Sequence, residues 1–134
     1  MTRVKICGLT DVAQCITATN CGADFTGLVF APSKRQILPE KAVLLSKAVH
    51  NLQMNTAVVG VFVNMAVQEV NRIANYCLLD WIQLSGDEPW SYCQQIEKPI
   101  IKIPMTKTIA PVINHVDDPP IIGLQLTKHK IGFI

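Results

Sequence analysis

Short runs of uninterrupted apolar residues recur along the chain, separated by stretches whose apolar positions fall three and four apart. The runs have strand length and the stretches carry the period of a helix buried on one face, so the alternation predicts parallel strands joined by helical crossovers. Val4–Cys7 is the first run; Gly8 follows it, Thr10 or Asp11 is placed to cap a helix through about Asn20, and Cys21-Gly22 ends that helix. Phe25–Phe30 is the second, followed by a loop over Ala31–Leu38 and by Pro39, which sits where first-turn prolines sit and starts a helix to about His50. Thr56–Val63, almost wholly apolar, is the third and must be covered on both faces. Asn64 reads as the cap of the next helix, whose Val67, Val70, Ile73, Ala74 and Cys77 share one side. Leu79–Leu84 is a fourth strand, Pro89–Ile96 a short helix, Ile100–Ile103 a fifth strand, Thr108–His115 another short helix, and Pro120–Gln125 a sixth strand.

The predicted strands start about 20 to 30 residues apart. Sustained βα repetition of this kind is an α/β fold, either a doubly wound sheet or a (βα)8 barrel, and periodicity does not separate the two. The 134 residues read as one domain, 1–134, with neither linker nor low-complexity segment. A closed barrel takes eight strands and about 200 residues, so six strands make an incomplete one. Strands one and six are then expected to carry unpaired N–H and C=O groups along their outer edges, and self-association is the expected response.

Composition narrows the class of function. The chain is 49% hydrophobic and 16% charged with a net charge of +2, the reverse of a disordered chain, so it must bury a large core. No apolar run is long enough to span a membrane and the N-terminus lacks the pattern of a signal peptide, which places the chain in the cytoplasm. Cys7, Cys15, Cys21, Cys77 and Cys93 are scattered, without a C-x-x-C pair or a zinc spacing, and read as reduced thiols with no metal. Residues 98–134 carry five Lys+Arg against two Asp+Glu, but Phe133 is the only aromatic among them, so nucleic acid is not an expected partner.

In a parallel βα fold the residues at the C-terminal ends of strands line the ligand face, which singles out Cys7. A thiol there serves as base or nucleophile once ionised; taken alone, it reads more readily as a buried packing residue. Arg35, in the loop after the second strand, offers a planar fork of donors for a carboxylate or phosphate, with a solvated loop cation as the alternative. Asn64 ends strand three, where capping is the simpler role. Gln83 and Ser85 end strand four, and Asp87 and Glu88 after them read as structural charges favouring a helix dipole.

Five segments taken together are more specific. KICGLT at 5–10, GADFTGLVF at 22–30, SKR at 33–35, VGVFVN at 59–64 and QLSGDEP at 83–89 resemble, in order and separation, the motif series of the phosphoribosylanthranilate isomerase family of tryptophan biosynthesis, over about the first 105 residues. The resemblance implies a TIM-type (βα)8 barrel, here incomplete with about six strands. It implies an Amadori rearrangement of N-(5-phosphoribosyl)anthranilate to 1-(2-carboxyphenylamino)-1-deoxyribulose 5-phosphate, which is acid–base chemistry with no cofactor and a sugar phosphate as partner. By the same resemblance Cys7 is the general base and Arg35 holds the anthranilate carboxylate, with Asn64, Gln83 and Ser85 as further substrate-binding residues.

Two positions depart from the family pattern. Ser85 stands where the family usually has a histidine. The aspartic acid expected to end strand six is not found, because Pro120–Gln125 ends in an amide, and a glutamine does not donate a proton as an acid does. Asp117 and Asp118 precede the strand, at its other end. The expected function is therefore this isomerase with impaired turnover, and the alternative is a non-catalytic truncated relic or self-associating interaction protein.

Overall fold

In a computed structural model, residues 2–103 and two short strands at 124–125 and 131–133 are described. Strands β1 (Val4–Cys7), β2 (Phe25–Val29), β3 (Ala57–Phe62), β4 (Trp81–Leu84) and β5 (Ile100–Lys102) lie side by side in chain order, every neighbouring pair parallel. Helices α1 (Val12–Asn20), α2 (Pro39–Asn51), α3 (Val67–Tyr76) and the single turn α4 (Trp90–Cys93) connect them. A doubly wound sheet reverses its strand order partway; these five never do, so the architecture is a half-barrel.

Two strands follow, and they correct the expected sixth. β7 (Ile131–Phe133) pairs antiparallel with β1, and β6 (Leu124–Gln125) pairs antiparallel with β7. Of the strand expected over Pro120–Gln125, the described residues are Leu124–Gln125, and these pair antiparallel with β7. A parallel partner needs a crossover of a dozen or more residues, and only five positions separate β6 from β7. β7 also occupies the edge of β1 that was expected to be open. The helix expected over Thr108–His115, with Asp117 and Asp118, lies outside the described residues.

Strand alternation sorts the side chains. Leu28, Phe30, Val58, Phe62, Ile82 and Leu84 face the helices and pack with Cys15, Leu45, Val49, Val70 and Ile73 into the main core, where Phe30 and Phe62 stack with centroids 4.9 Å apart. The other parity points into the barrel. Phe25, Val59 and Ile101 form a smaller inner cluster with Trp81 against them, and Phe25 meets Trp81 edge-on at 5.9 Å. Register continues this inner row onto β1, because Lys5 lies beside Phe25 and Cys7 beside Gly27.

The helix ends show why the elements stop where they do. Asp11 caps α1 by accepting from the Gln14 N–H at 2.8 Å, Pro39 begins α2, and Gly22, at φ +85°, takes the left-handed turn after α1. Asn64 does not cap α3; that position belongs to Ala66, and Asn64 has φ +50° two residues earlier. Its side-chain oxygen is committed across the rim to the next loop, accepting from the Asp87 N–H at 2.9 Å.

Candidate functional site

Lys5 and Cys7 are two apart on β1 and share its inner face. Lys5 is 5% exposed, and its Nζ donates to Cys7 Sγ at 3.5 Å and to Gln83 Oε1. An ammonium only donates, so Gln83 turns its oxygen to Lys5 and its nitrogen to Ser85, Nε2 to Oγ at 2.9 Å. A polar string therefore runs Cys7, Lys5, Gln83, Ser85, from β1 to the end of β4. It crosses β2 over Gly27. A Cβ at Gly27 would stand 2.6 Å from Cys7 Sγ and 3.0 Å from Lys5 Cε, so only a glycine leaves room for both side chains.

Arg35 arrives from the loop after β2. Its backbone N–H donates to Ser33 Oγ at 3.2 Å, and its Nη1 lies 3.5 Å from the Cys7 carbonyl oxygen. The guanidinium thus lies over the turn after β1, where Gly8 has φ +81° and a Cβ would meet Arg35 Cδ at 2.6 Å. Both Gly8 and Leu9 donate their N–H groups to the Gly27 carbonyl, at 2.9 and 3.2 Å. The turn is fixed to β2, and Cys7 with it.

The far side of the rim is an ion-paired brace. Glu88, buried, receives Lys102 Nζ at 2.6 Å and the backbone N–H groups of Asn64 at 2.8 Å and Gly86 at 3.1 Å. Lys102 also donates to the Gly86 carbonyl at 2.5 Å. Burial pushes the Glu88 carboxyl up, but the hydrogen bonds from Lys102 and the backbone, with the Lys102 charge, together outweigh it and hold the group below the usual glutamate value. Asp87 and Glu88 precede α4, and the bonds of Glu88 to Asn64, Gly86 and Lys102 give it a structural role that ties the ends of β3, β4 and β5 together.

The cysteines differ by environment. Burial pushes the Cys15 and Cys77 thiols up to about 11, which makes them inert packing groups. Cys7 is half-buried at the rim and Cys21 is exposed at the end of α1. Burial also pushes the Lys5 ammonium below the usual lysine value, while the charge and hydrogen bond of Cys7 act in the opposite direction.

Cys7, Arg35, Asn64, Gln83 and Ser85 therefore stand at the C-terminal ends of the strands: Cys7 touches Arg35, Gln83 touches Ser85, and Asn64 is bound to the loop that follows Ser85. The expected acid position, Gln125, lies in the antiparallel hairpin and not at the end of a sixth parallel strand. Sequence reasoning missed Lys5, Gly27 and Lys102. The signal for Lys5 was present, since it sits two residues before Cys7 on a strand and must share its face. Among the described residues no three His, Cys, Asp or Glu side chains group as a metal-ligand set, and no helix is long and apolar enough to cross a membrane.

Comparison with known proteins bears on what this rim does. The family described as N-(5'phosphoribosyl)anthranilate (PRA) isomerase matches residues 4–117. The N-(5'-phosphoribosyl)anthranilate isomerase of Dehalococcoides mccartyi is 50% identical over 103 residues, 77% of this chain and 47% of that protein. That of Geotalea daltonii is 36% identical over 127 residues, 94% of this chain and 59% of that protein. Among solved structures, phosphoribosyl anthranilate isomerase from Thermus thermophilus superposes with a TM-score of 0.73 at 34% identity, over 81% of this chain and 54% of that one. A phosphoribosyl anthranilate isomerase in complex with reduced 1-(o-carboxyphenylamino)-1-deoxyribulose 5-phosphate superposes at 0.69 with 38% identity, over 76% of this chain and 53% of that one. The chain spans about half the length of the curated relatives it matches.

Proposed function

The chain belongs to the N-(5'-phosphoribosyl)anthranilate isomerase family, and from that premise we propose that its rim binds N-(5-phosphoribosyl)anthranilate in the cytoplasm and rearranges it to the 1-deoxyribulose phosphate. What supports the reading most is the meeting of Cys7 and Arg35, which places a thiol and an anion-binding fork on one turn, with Nη1 3.5 Å from the Cys7 carbonyl oxygen.

Water, in place of the acid expected by resemblance, protonates the furanose ring oxygen as the nitrogen lone pair opens the ring to a protonated Schiff base, which is why turnover is expected to be impaired; a base then takes the C2 proton. Cys7 is the base. Its thiolate accepts the C2 proton on Sγ, and the C–H electron pair moves to C1–C2 while the C1=N pair moves onto nitrogen, giving the enolamine that tautomerises to the ketose. Arg35 holds the anthranilate carboxylate in a charge-assisted pair, which fixes the sugar carbons relative to Sγ. Gln83 and Ser85 present polar atoms along the inner wall, and Asn64 shapes the rim through its bond to Asp87. No step in this sequence calls for a cofactor. The outer edge of β5, which pairs only with β4 among the described strands, is the edge through which two copies would associate; a light-scattering mass above that of one chain is expected, and a constant monomer mass would contradict it.

Occupancy of the rim is testable without turnover. Alkylation of Cys7 by iodoacetamide, followed by peptide mass spectrometry, is expected to slow at least tenfold when reduced 1-(o-carboxyphenylamino)-1-deoxyribulose 5-phosphate saturates the chain, with the exposed Cys21 unaffected. A Cys7 rate that the compound leaves unchanged at millimolar concentration would overturn the assignment.

A further inference from the structure

Lys5 has no part in the function as proposed, although it touches the base. A fully buried ammonium is costly unless it is paired, and the described contacts of Lys5 Nζ are a neutral amide oxygen and the Cys7 sulfur. No carboxylate forms an ion pair with it among the described residues. The group able to supply the missing negative charge is Cys7 itself. The geometry points to Lys5 as a positioning residue for the base: an ammonium anchored by Gln83 that holds the neighbouring Cys7 sulfur as a thiolate aimed into the barrel.

This inference rests on the reading of Cys7 as base and adds what ionises it. Two unit charges a few ångströms apart in a site screened from water attract strongly, and each makes the other cheaper to bury. Burial sets the net direction at Lys5, disfavouring its charge, and Cys7 is the group that opposes it. Arg35 is the second cation near the base, but its Nη1 reaches the Cys7 carbonyl, leaving Lys5 as the one cation hydrogen-bonded to Sγ among the described residues. Gly27 is the third part of the device. A side chain there would collide with Sγ at 2.6 Å and press on Lys5 Cε at 3.0 Å, separating the two charges. Gln83 completes it by holding Nζ from the opposite strand, so the ammonium neither swings to solvent nor needs a counter-ion from β2 or β3.

The measurement is the iodoacetamide rate of Cys7 at pH 7 in the full 134-residue chain, divided by that of the exposed Cys21 in the same sample. Only the thiolate reacts, so the ratio reads ionisation. Lys5→Met, which keeps length and removes charge, is expected to lower the ratio about tenfold or more, and Lys5→Arg to recover most of it. A ratio that is unchanged or raised in Lys5→Met would overturn the inference. Should that variant lose its native circular dichroism, Gly27→Ala carries the test, with a fall in the ratio expected and an unchanged ratio contradicting. Isomerase assays on the same proteins keep the two readings apart: kcat falling with little change in KM joins the pair to catalysis, whereas a reactive, Lys5-dependent Cys7 without turnover in the unsubstituted chain sinks the isomerase reading and leaves the pair standing.

Discussion

Glu88 is the residue on which the far rim depends, and its acidity can be read from outside. It joins the ends of β3, β4 and β5 through three hydrogen bonds, two of them from backbone N–H groups. Because its folded pKa lies below the ordinary value of about 4.3, the native chain holds fewer protons than the unfolded one in that range, and stability rises with pH there. The contribution is present above about pH 4.3 and is lost as pH falls through the lower folded value. Glu88→Gln is expected to lower Tm at pH 7 and to flatten the fall of Tm between about pH 5 and 3, measured by scanning calorimetry. An unchanged slope would show that the brace does not couple to folding. Cys7 was legible as the last residue of a strand followed by a glycine, and Arg35 as a cation in the polar loop after β2. The face of Lys5 was legible from its place two residues before Cys7, but its anchor was not, since Gln83 is 78 positions away.

Between residue and molecule, the βα units repeat one another in a way periodicity did not disclose. Cys21-Gly22-Ala23-Asp24-Phe25 and Cys77-Leu78-Leu79-Asp80-Trp81 are the same helix-to-strand passage. In each, the third residue donates to a helix carbonyl five back, Ala23 to Ala18 at 3.1 Å and Leu79 to Ala74 at 2.9 Å. In each, the aspartate accepts from the strand before, Asp24 from Val4 N–H and Asp80 from Val58 N–H, both at 2.7 Å. Phe25 and Trp81, next in line, meet across the inner face. The left-handed position is filled by glycine at Gly22 (φ +85°) but by leucine at Leu78 (φ +57°). That leucine hid the turn, and the sequence reading began β4 two residues early, at Leu79. The same contrast gives opposite expectations. Leu78→Gly removes left-handed strain of about 1–2 kcal/mol against a glycine entropy cost of about 0.5–1, for a net gain of about 0–1.5 kcal/mol. Gly22→Ala, where nothing stands within 4 Å of the added Cβ, is expected to cost about 1 kcal/mol through the backbone alone. Urea denaturation measures both, and equal signs would contradict the shared turn.

At the scale of the whole molecule, what decides the fold is the order in which strands pair. Apolar period allowed a doubly wound sheet and a barrel equally; unreversed pairing from β1 to β5 makes the half-barrel, and only that winding carries the ends of β1 and β4 to one polar string. The antiparallel β7 on β1 was out of reach of periodicity, since a three-residue strand has no period to read. The account stands on the claim that this half-barrel rim, with Cys7 as its base, performs the family's rearrangement. The direct test follows the disappearance of phosphoribosylanthranilate fluorescence with the purified chain and with Cys7→Ala, alongside the Dehalococcoides mccartyi relative as the scale for the expected impairment. A positioned base contributes about 10²–10⁴-fold, so turnover above the buffer rate, reduced by that factor in Cys7→Ala, is the expected result. Turnover that survives unchanged in Cys7→Ala, or a rate no greater than buffer alone, would contradict it.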